Sequence, residues 1–111
     1  MKIAIVIPAL NEGARIEATL APARLAADRC VVVDGGSTDD TIARARAARA
    51  QIVLGAERGR ASQMNAGAAV CEADGVDVLM FLHADTVLAP GWDTAIAHAL
   101  DRGYQWGRFD V

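Results

Sequence analysis

The sequence predicts a three-layer α/β domain built on a mostly parallel sheet. Three observations carry that expectation. Short apolar runs alternate four times with stretches of helical periodicity, the pattern of strand–helix units folding into a parallel sheet. Each run is rich in β-branched residues or Leu and is bounded by Gly, Pro or polar residues. The composition is 53% hydrophobic but only 5% aromatic, so Ala, Val, Ile and Leu fill the core, which suits helices lying close on a sheet. At 111 residues the chain makes one domain with a single core.

The first strand is Ile3-Ala4-Ile5-Val6-Ile7, ending at Pro8. Glu12 to about Leu20 follows as a helix with Ile16 and Leu20 on one face, and Pro22 is expected to end or kink it. Cys30-Val31-Val32-Val33 is the second strand and stops at Asp34-Gly35-Gly36. Ser37-Thr38-Asp39-Asp40 then reads as a helix start, with a hydroxyl N-cap followed by acids that favour the positive helix end. The helix it opens spans about Ile42 to Arg49. Gln51-Ile52-Val53-Leu54 is the third strand, stopped by Gly55, and Ala61, Met64, Ala68 and Cys71 form the expected stripe of the third helix. Val76 to Leu82 is apolar enough for a strand buried on both faces. Trp92, Ile96 and Leu100 mark the face of the fourth helix, which Gly103 stops, and Tyr104 to Val111 is a candidate last strand.

Composition excludes several classes. Net charge is -3, with eleven Lys and Arg scattered among fourteen acids, so there is no basic face for nucleic acid. Cys30 and Cys71 sit in separate apolar segments without metal or redox spacing and are expected to be buried thiols. The apolar run near the N-terminus is too short for a signal peptide or membrane span. These features predict a soluble cytoplasmic protein.

In a parallel sheet with right-handed crossovers the strand carboxyl ends share one edge, where such folds bind ligands. Four places meet there: Asn11-Glu12, Asp34-Gly35-Gly36-Ser37, Gly59-Arg60 and His83-Ala84-Asp85. Taken singly, each has a structural explanation. Asn11-Glu12 caps a helix, Asp34 starts a turn, Arg60 is a solvated helix start, and Asp85 caps the turn toward Pro90. Together they place three carboxylates, an Arg and a His on one rim. Neither G-x-x-x-x-G-K-[ST] nor G-x-G-x-x-G occurs. The carboxylates suit donor groups such as a base imide N–H or ribose hydroxyls. Asp85 suits a hard divalent cation shared with substrate phosphates, and His83, two residues away on an extended segment, would face the same ligand.

"IVIPALNE", "VVVDGGSTDDT", "GRASQMNAGA" and "FLHADT", in that order and spacing, resemble the nucleotide-binding half of the family 2 glycosyltransferases, and the resemblance covers nearly the whole chain. It implies the Rossmann-like GT-A topology, an inverting sugar transfer from a nucleoside-diphosphate sugar to an unspecified acceptor, and Mg²⁺ or Mn²⁺ as cofactor. Pro8, Asn11, Glu12, Asp34 and Gly35 would bind the base and ribose, with Arg60 near the base or phosphates. His83-Ala84-Asp85 would stand where the family has Asp-x-Asp, with Asp85 as metal ligand and His83 in place of the first Asp. The family's acceptor half follows the segment resembled by Gly107 to Val111, so the general base is expected beyond Val111. Residues 1–111 are accordingly read as the donor-binding portion of an incomplete domain, with homo-oligomerisation through an unpaired sheet edge as one consequence. The alternatives are a non-catalytic nucleotide-binding module or a fragment without independent function.

Overall fold

The computed structural model describes residues 1–54 and 59–103. Their elements run β1 (Ile3–Ala9), α1 (Ile16–Arg24), β2 (Arg29–Asp34), α2 (Thr41–Ala47), β3 (Gln51–Val53), α3 (Arg60–Glu72), β4 (Val78–Phe81) and α4 (Trp92–Asp101). The four strands form one all-parallel sheet in the order β3-β2-β1-β4. Side chains alternate faces along a strand, and the core divides accordingly. Ile3, Ile5, Ile7, Cys30 and Val32 pack with Ile16, Leu20 and Ala23 of α1, Ala45 of α2 and Trp92 of α4. Ala4, Val6, Val31 and Val33 pack on the opposite face with Cys71 of α3. The three layers are thus α1 and α2 with the head of α4, the sheet, and α3.

Several expectations are corrected. α1 begins at Ile16 rather than Glu12, because the Arg15 and Ile16 N–H groups first close a turn on the Glu12 carbonyl (3.0 and 2.9 Å). It runs through Pro22 to Arg24. Buried Ile16, Leu20 and Ala23 hold it on the core on both sides of the proline, so packing overrides the ring's cost of a lost backbone bond. α2 starts at Thr41, with no side-chain cap and no acid in its first turn. Ser37 therefore is not its cap; as described below, it joins two loops.

The buried face of α3 is Gln63, Gly67 and Cys71, one residue every four, rather than the stripe through Ala61, Met64 and Ala68. Gly67 lies directly on the sheet: a Cβ built there would run into Val6 and come within 2.9 Å of Val33 Cγ2. In α4, Trp92 is buried and Ile96 is half-buried on the core, but Leu100 is exposed.

The largest correction concerns β4. Val78, Leu79 and Met80 are half-buried and Phe81 is 42% exposed, because β4 is an edge strand among the described residues and not an interior one. Gly55 and the candidate strand Tyr104 to Val111 lie outside the described residues.

Candidate functional site

β1 and β2 stay paired to their last residues, Ala9 opposite Asp34, whereas β4 leaves the sheet at Phe81, opposite Val6. Pro8 accounts for the difference. The Val6 carbonyl still accepts the Leu82 N–H (3.0 Å) on the β4 side. Two residues on, Pro8 faces that side and has no N–H to offer, so it ends the ladder there while leaving β2 undisturbed. A divergence between the tail of β1 and the segment after β4 follows. It lies where the strand order reverses about β1, the position at which open α/β sheets take ligands.

On one side of this divergence the loops after β1 and β2 are joined by side chains. Asp34, 4% exposed, receives the Gly36 N–H (2.9 Å) and Ser37 N–H (2.8 Å) on Oδ2 and the Ser37 hydroxyl (2.5 Å) on Oδ1. Three donors offset the burial of its charge. Ser37 Oγ in turn accepts the Asn11 N–H at 2.9 Å, and Asn11 Oδ1 accepts the Thr38 N–H at 2.8 Å. Asn11 sits at φ 52°, a left-handed conformation that Asn tolerates better than most residues. The Glu12 N–H donates to the buried Thr41 hydroxyl (2.9 Å). Its carboxylate has no hydrogen-bond partner among the described residues. Asp39 accepts from the Thr41 hydroxyl and backbone N–H and from the Gly13 N–H, which hold its carboxyl below the ordinary value.

On the other side, His83 to Thr86 form a turn closed by the Thr86 N–H on the His83 carbonyl (3.1 Å). This replaces the extended segment expected there. The exposure pattern survives: His83 and Asp85 are exposed and Ala84 between them is buried. The Thr19 hydroxyl, fully buried in α1, donates to the Ala84 carbonyl at 2.8 Å and fixes the turn from beneath. Asp85 is loosely held, with Arg15 Nη1 4.0 Å from Oδ2 and the Thr86 hydroxyl 3.5 Å from Oδ1. Arg60 is exposed at the first residue of α3.

The structure therefore unites Asn11, Asp34 and Gly35 in one bonded lattice with Glu12 at its side. His83 and Asp85 stand on a separate support tied to α1. Among the described residues no three His, Cys, Asp or Glu side chains gather to hold a metal ion. A single exposed carboxylate such as Asp85 fits a Mg²⁺-like ion whose remaining ligands are water and phosphate; it does not make a closed site. Cavities among the described residues lie elsewhere. One of about 290 Å³ lies at the opposite end of β2 and β3 among Arg24, Arg29 and Arg49, and an apolar one of about 230 Å³ lies between the end of α1 and Trp92.

Two contributors were not identified as site residues from the sequence. Arg15 has no motif to announce it. Gln63, inside "GRASQMNAGA", is 7% exposed, and its Nε2 donates to the Ala9 carbonyl (3.1 Å) and the Val33 carbonyl (2.9 Å). A Gln breaking an Ala-rich helix on the buried four-residue repeat was the available signal.

A family model described as "Glycosyl transferase family 2" matches residues 4–110. The chain belongs to glycosyl transferase family 2. Among solved structures, three of the glucosyl-3-phosphoglycerate synthase from Mycobacterium tuberculosis are similar to it. The complex with Mn²⁺, UDP and glucosyl-3-phosphoglycerate superposes with a TM-score of 0.72 at 28% identity, covering 89% of this chain and 39% of that one. The complex with Mn²⁺ and UDP-glucose gives 0.74 at 29% identity, covering 92% and 40%. The complex with Mg²⁺ and UDP gives 0.72 at 28% identity, covering 89% and 39%. A search of curated proteins finds no match. The fold is accordingly the α/β GT-A type, and this family 2 chain spans about two fifths of the length of those structures. No helix among its described residues is long and apolar enough to cross a membrane.

Proposed function

We propose that this chain is the donor-binding portion of an inverting glycosyltransferase, holding a nucleoside-diphosphate sugar together with Mg²⁺ or Mn²⁺ at the carboxyl rim of the sheet. The observation that carries the reading is the early end of the β1–β4 ladder at Pro8, at the strand carboxyl edge. A hard, exposed carboxylate stands on one side of it, and a preformed polar lattice on the other. The similar synthase's crystallisation with UDP, UDP-glucose and Mn²⁺ supports the same reading.

In this scheme Asp85 holds the metal through oxygen, and His83 lines the same approach. The loop from Pro8 to Glu12 and the turn at Asp34-Gly35 take the base and ribose. Asp34 shapes that turn through three accepted hydrogen bonds and keeps acceptor capacity on Oδ1, which has a single donor among the described residues. Arg60 offers a cation toward the phosphates from the head of α3. The metal, when bound, offsets charge on the departing diphosphate as a Lewis acid. The acceptor and the base that deprotonates it belong to the remainder of the family's architecture.

The test is UDP affinity by calorimetry, in Mn²⁺ and in EDTA, for the parent chain, Asp85→Asn and His83→Asn. Asp85→Asn should weaken Mn²⁺-dependent binding about tenfold or more, as expected for loss of a charged ligand, and His83→Asn should weaken it less. Equal affinity of the parent chain in Mn²⁺ and EDTA would remove the metal from the scheme.

A further inference from the structure

At the edge of the sheet opposite the rim, a cavity of about 290 Å³ lies between the ends of α1 and α2 and the starts of β2 and β3. Three guanidinium groups line it, from Arg24, Arg29 and Arg49, against a single carboxylate, Asp28. This gathers positive charge in a chain whose net charge is -3. Arg29 is engaged on both sides of its fork, Nε and Nη2 donating to Gln51 Oε1 and Nη1 pairing with Asp74. Asp28 Oδ2 accepts the Ile3 N–H at 2.7 Å. Arg24 and Arg49 are exposed and make no ion pair among the described residues.

Helix carboxyl ends attract cations, and Arg24 stands in the last turn of α1, which is reason enough for a basic residue there. Arg49 has no such reason. The end of α2 is closed by its own backbone: the Arg49 N–H donates to the Arg46 carbonyl (2.9 Å) and the Ala50 N–H to the Ala45 carbonyl (3.0 Å), the paired bonds of a Schellman ending. Those carbonyls need no side-chain cation. Arg49 itself fills the position at φ 64° where such endings favour glycine. A long charged side chain is thus kept at a conformational cost, and it is delivered to the cavity that Arg24 and Arg29 also line.

We propose that this cavity is an anion site, separate from the rim, which takes the phosphate group of a small molecule between Arg24 and Arg49, with Arg29 as a fixed wall. Each free fork can donate two parallel N–H bonds to phosphate oxygens. The volume lies at the small end of ligand sites, about 300–1,000 Å³, which matches phosphate alone or with a small organic group. Arg29 and Asp34 are the two ends of β2, so the length of that strand, roughly 16 Å, separates the site from the rim. The site stands whether or not the rim binds a nucleotide.

The experiment titrates inorganic phosphate and glycerol 1-phosphate, in EDTA, into the parent chain, Arg24→Gln and Arg49→Gly, by calorimetry and by urea unfolding. Without anion, Arg49→Gly should unfold at a midpoint equal to or above the parent's, because glycine suits the positive φ. Both variants should bind phosphate about tenfold more weakly or worse, the loss expected for a charge-assisted contact. Their midpoints should therefore rise less with phosphate than the parent's. Tighter binding of glycerol 1-phosphate than of inorganic phosphate would identify a monoester as the ligand, and the reverse order the free ion. A general effect of phosphate on hydration would raise all three midpoints together, and that result overturns the site. So does the absence of calorimetric binding of either anion by the parent chain. An Arg49→Gly variant less stable than the parent without anion overturns it too, since Arg49 would then be holding the fold.

Discussion

Replacing Gly67 by Ala adds one methyl group where α3 meets the sheet, and two opposing effects can be weighed. In a helix interior Ala is better than Gly by about 1 kcal/mol, so on an exposed face the change would stabilise. Here the new Cβ would overlap Val6 and lie 2.9 Å from Val33 Cγ2, where ordinary van der Waals contact begins at 3.4 Å. The neighbours are valines on central strands, both fully buried, so they cannot swing aside as a flexible side chain would. α3 must retreat by about half an ångström or more, and overpacking of this kind costs roughly 1–3 kcal/mol. Since Gln63 lies one turn away on the same face, the retreat also stretches its bonds to Ala9 and Val33. The two terms leave a net loss of about 0–2 kcal/mol, which the stretched Gln63 bonds push toward its upper end, read as a lower urea midpoint at unchanged slope. A Gly67→Ala variant more stable than the parent would refute the claim that this helix seats directly on the strands.

Two further perturbations address the other layer and the pH response. Thr19→Val removes the hydroxyl beneath the His83–Thr86 turn and leaves the Ala84 carbonyl without that donor. It should cost about 1–3 kcal/mol by urea titration and weaken Mn²⁺-dependent UDP binding through displacement of Asp85. Burial pushes the Cys30 thiol up to about 11 from 9.0, against a smaller opposing effect of Arg24. Cys30 should therefore resist alkylation at pH 8 in the folded chain. Because the folded state keeps its proton longer than the unfolded one, the contribution is complete below pH 9 and is lost as pH rises from 9 to about 11. Thermal unfolding across that range, with Cys30→Ala as reference, checks the sign.

The sheet was legible in the sequence because period-two burial needs only a run of apolar residues, and Ile3 to Ile7 and Cys30 to Val33 supply it on both faces. Their carboxyl ends followed from parallel pairing, so the rim could be named residue by residue before any coordinates. What the sequence hid was competition for hydrogen bonds. Ser37 looks like a helix cap, yet Asp34 and Asn11 reach it first, and the N-cap position falls to Asp40 although the helix starts close to where it was expected. β4 hid its edge position because half-burial and full burial select the same apolar residues. α3 misled for the opposite reason: its closest contact is made by Gly67, a residue without a side chain, and its deepest polar anchor by Gln63.

Pairing of β4 with β1 has a kinetic meaning. β1 and β2 join through a short local crossover, but Ile3 meets Val78 only after the intervening chain has been gathered in, and such distant closure is the slow part of folding. β4 is thus the strand whose pairing closes the longest loop, and it holds β1 through four registered residues. Asp85 follows that distant strand, whereas the lattice around Asp34 belongs to the locally connected pair. A ligand spanning the two would tie together parts of the sheet that the chain itself connects only through a long loop, so that binding would reinforce the β1–β4 pairing.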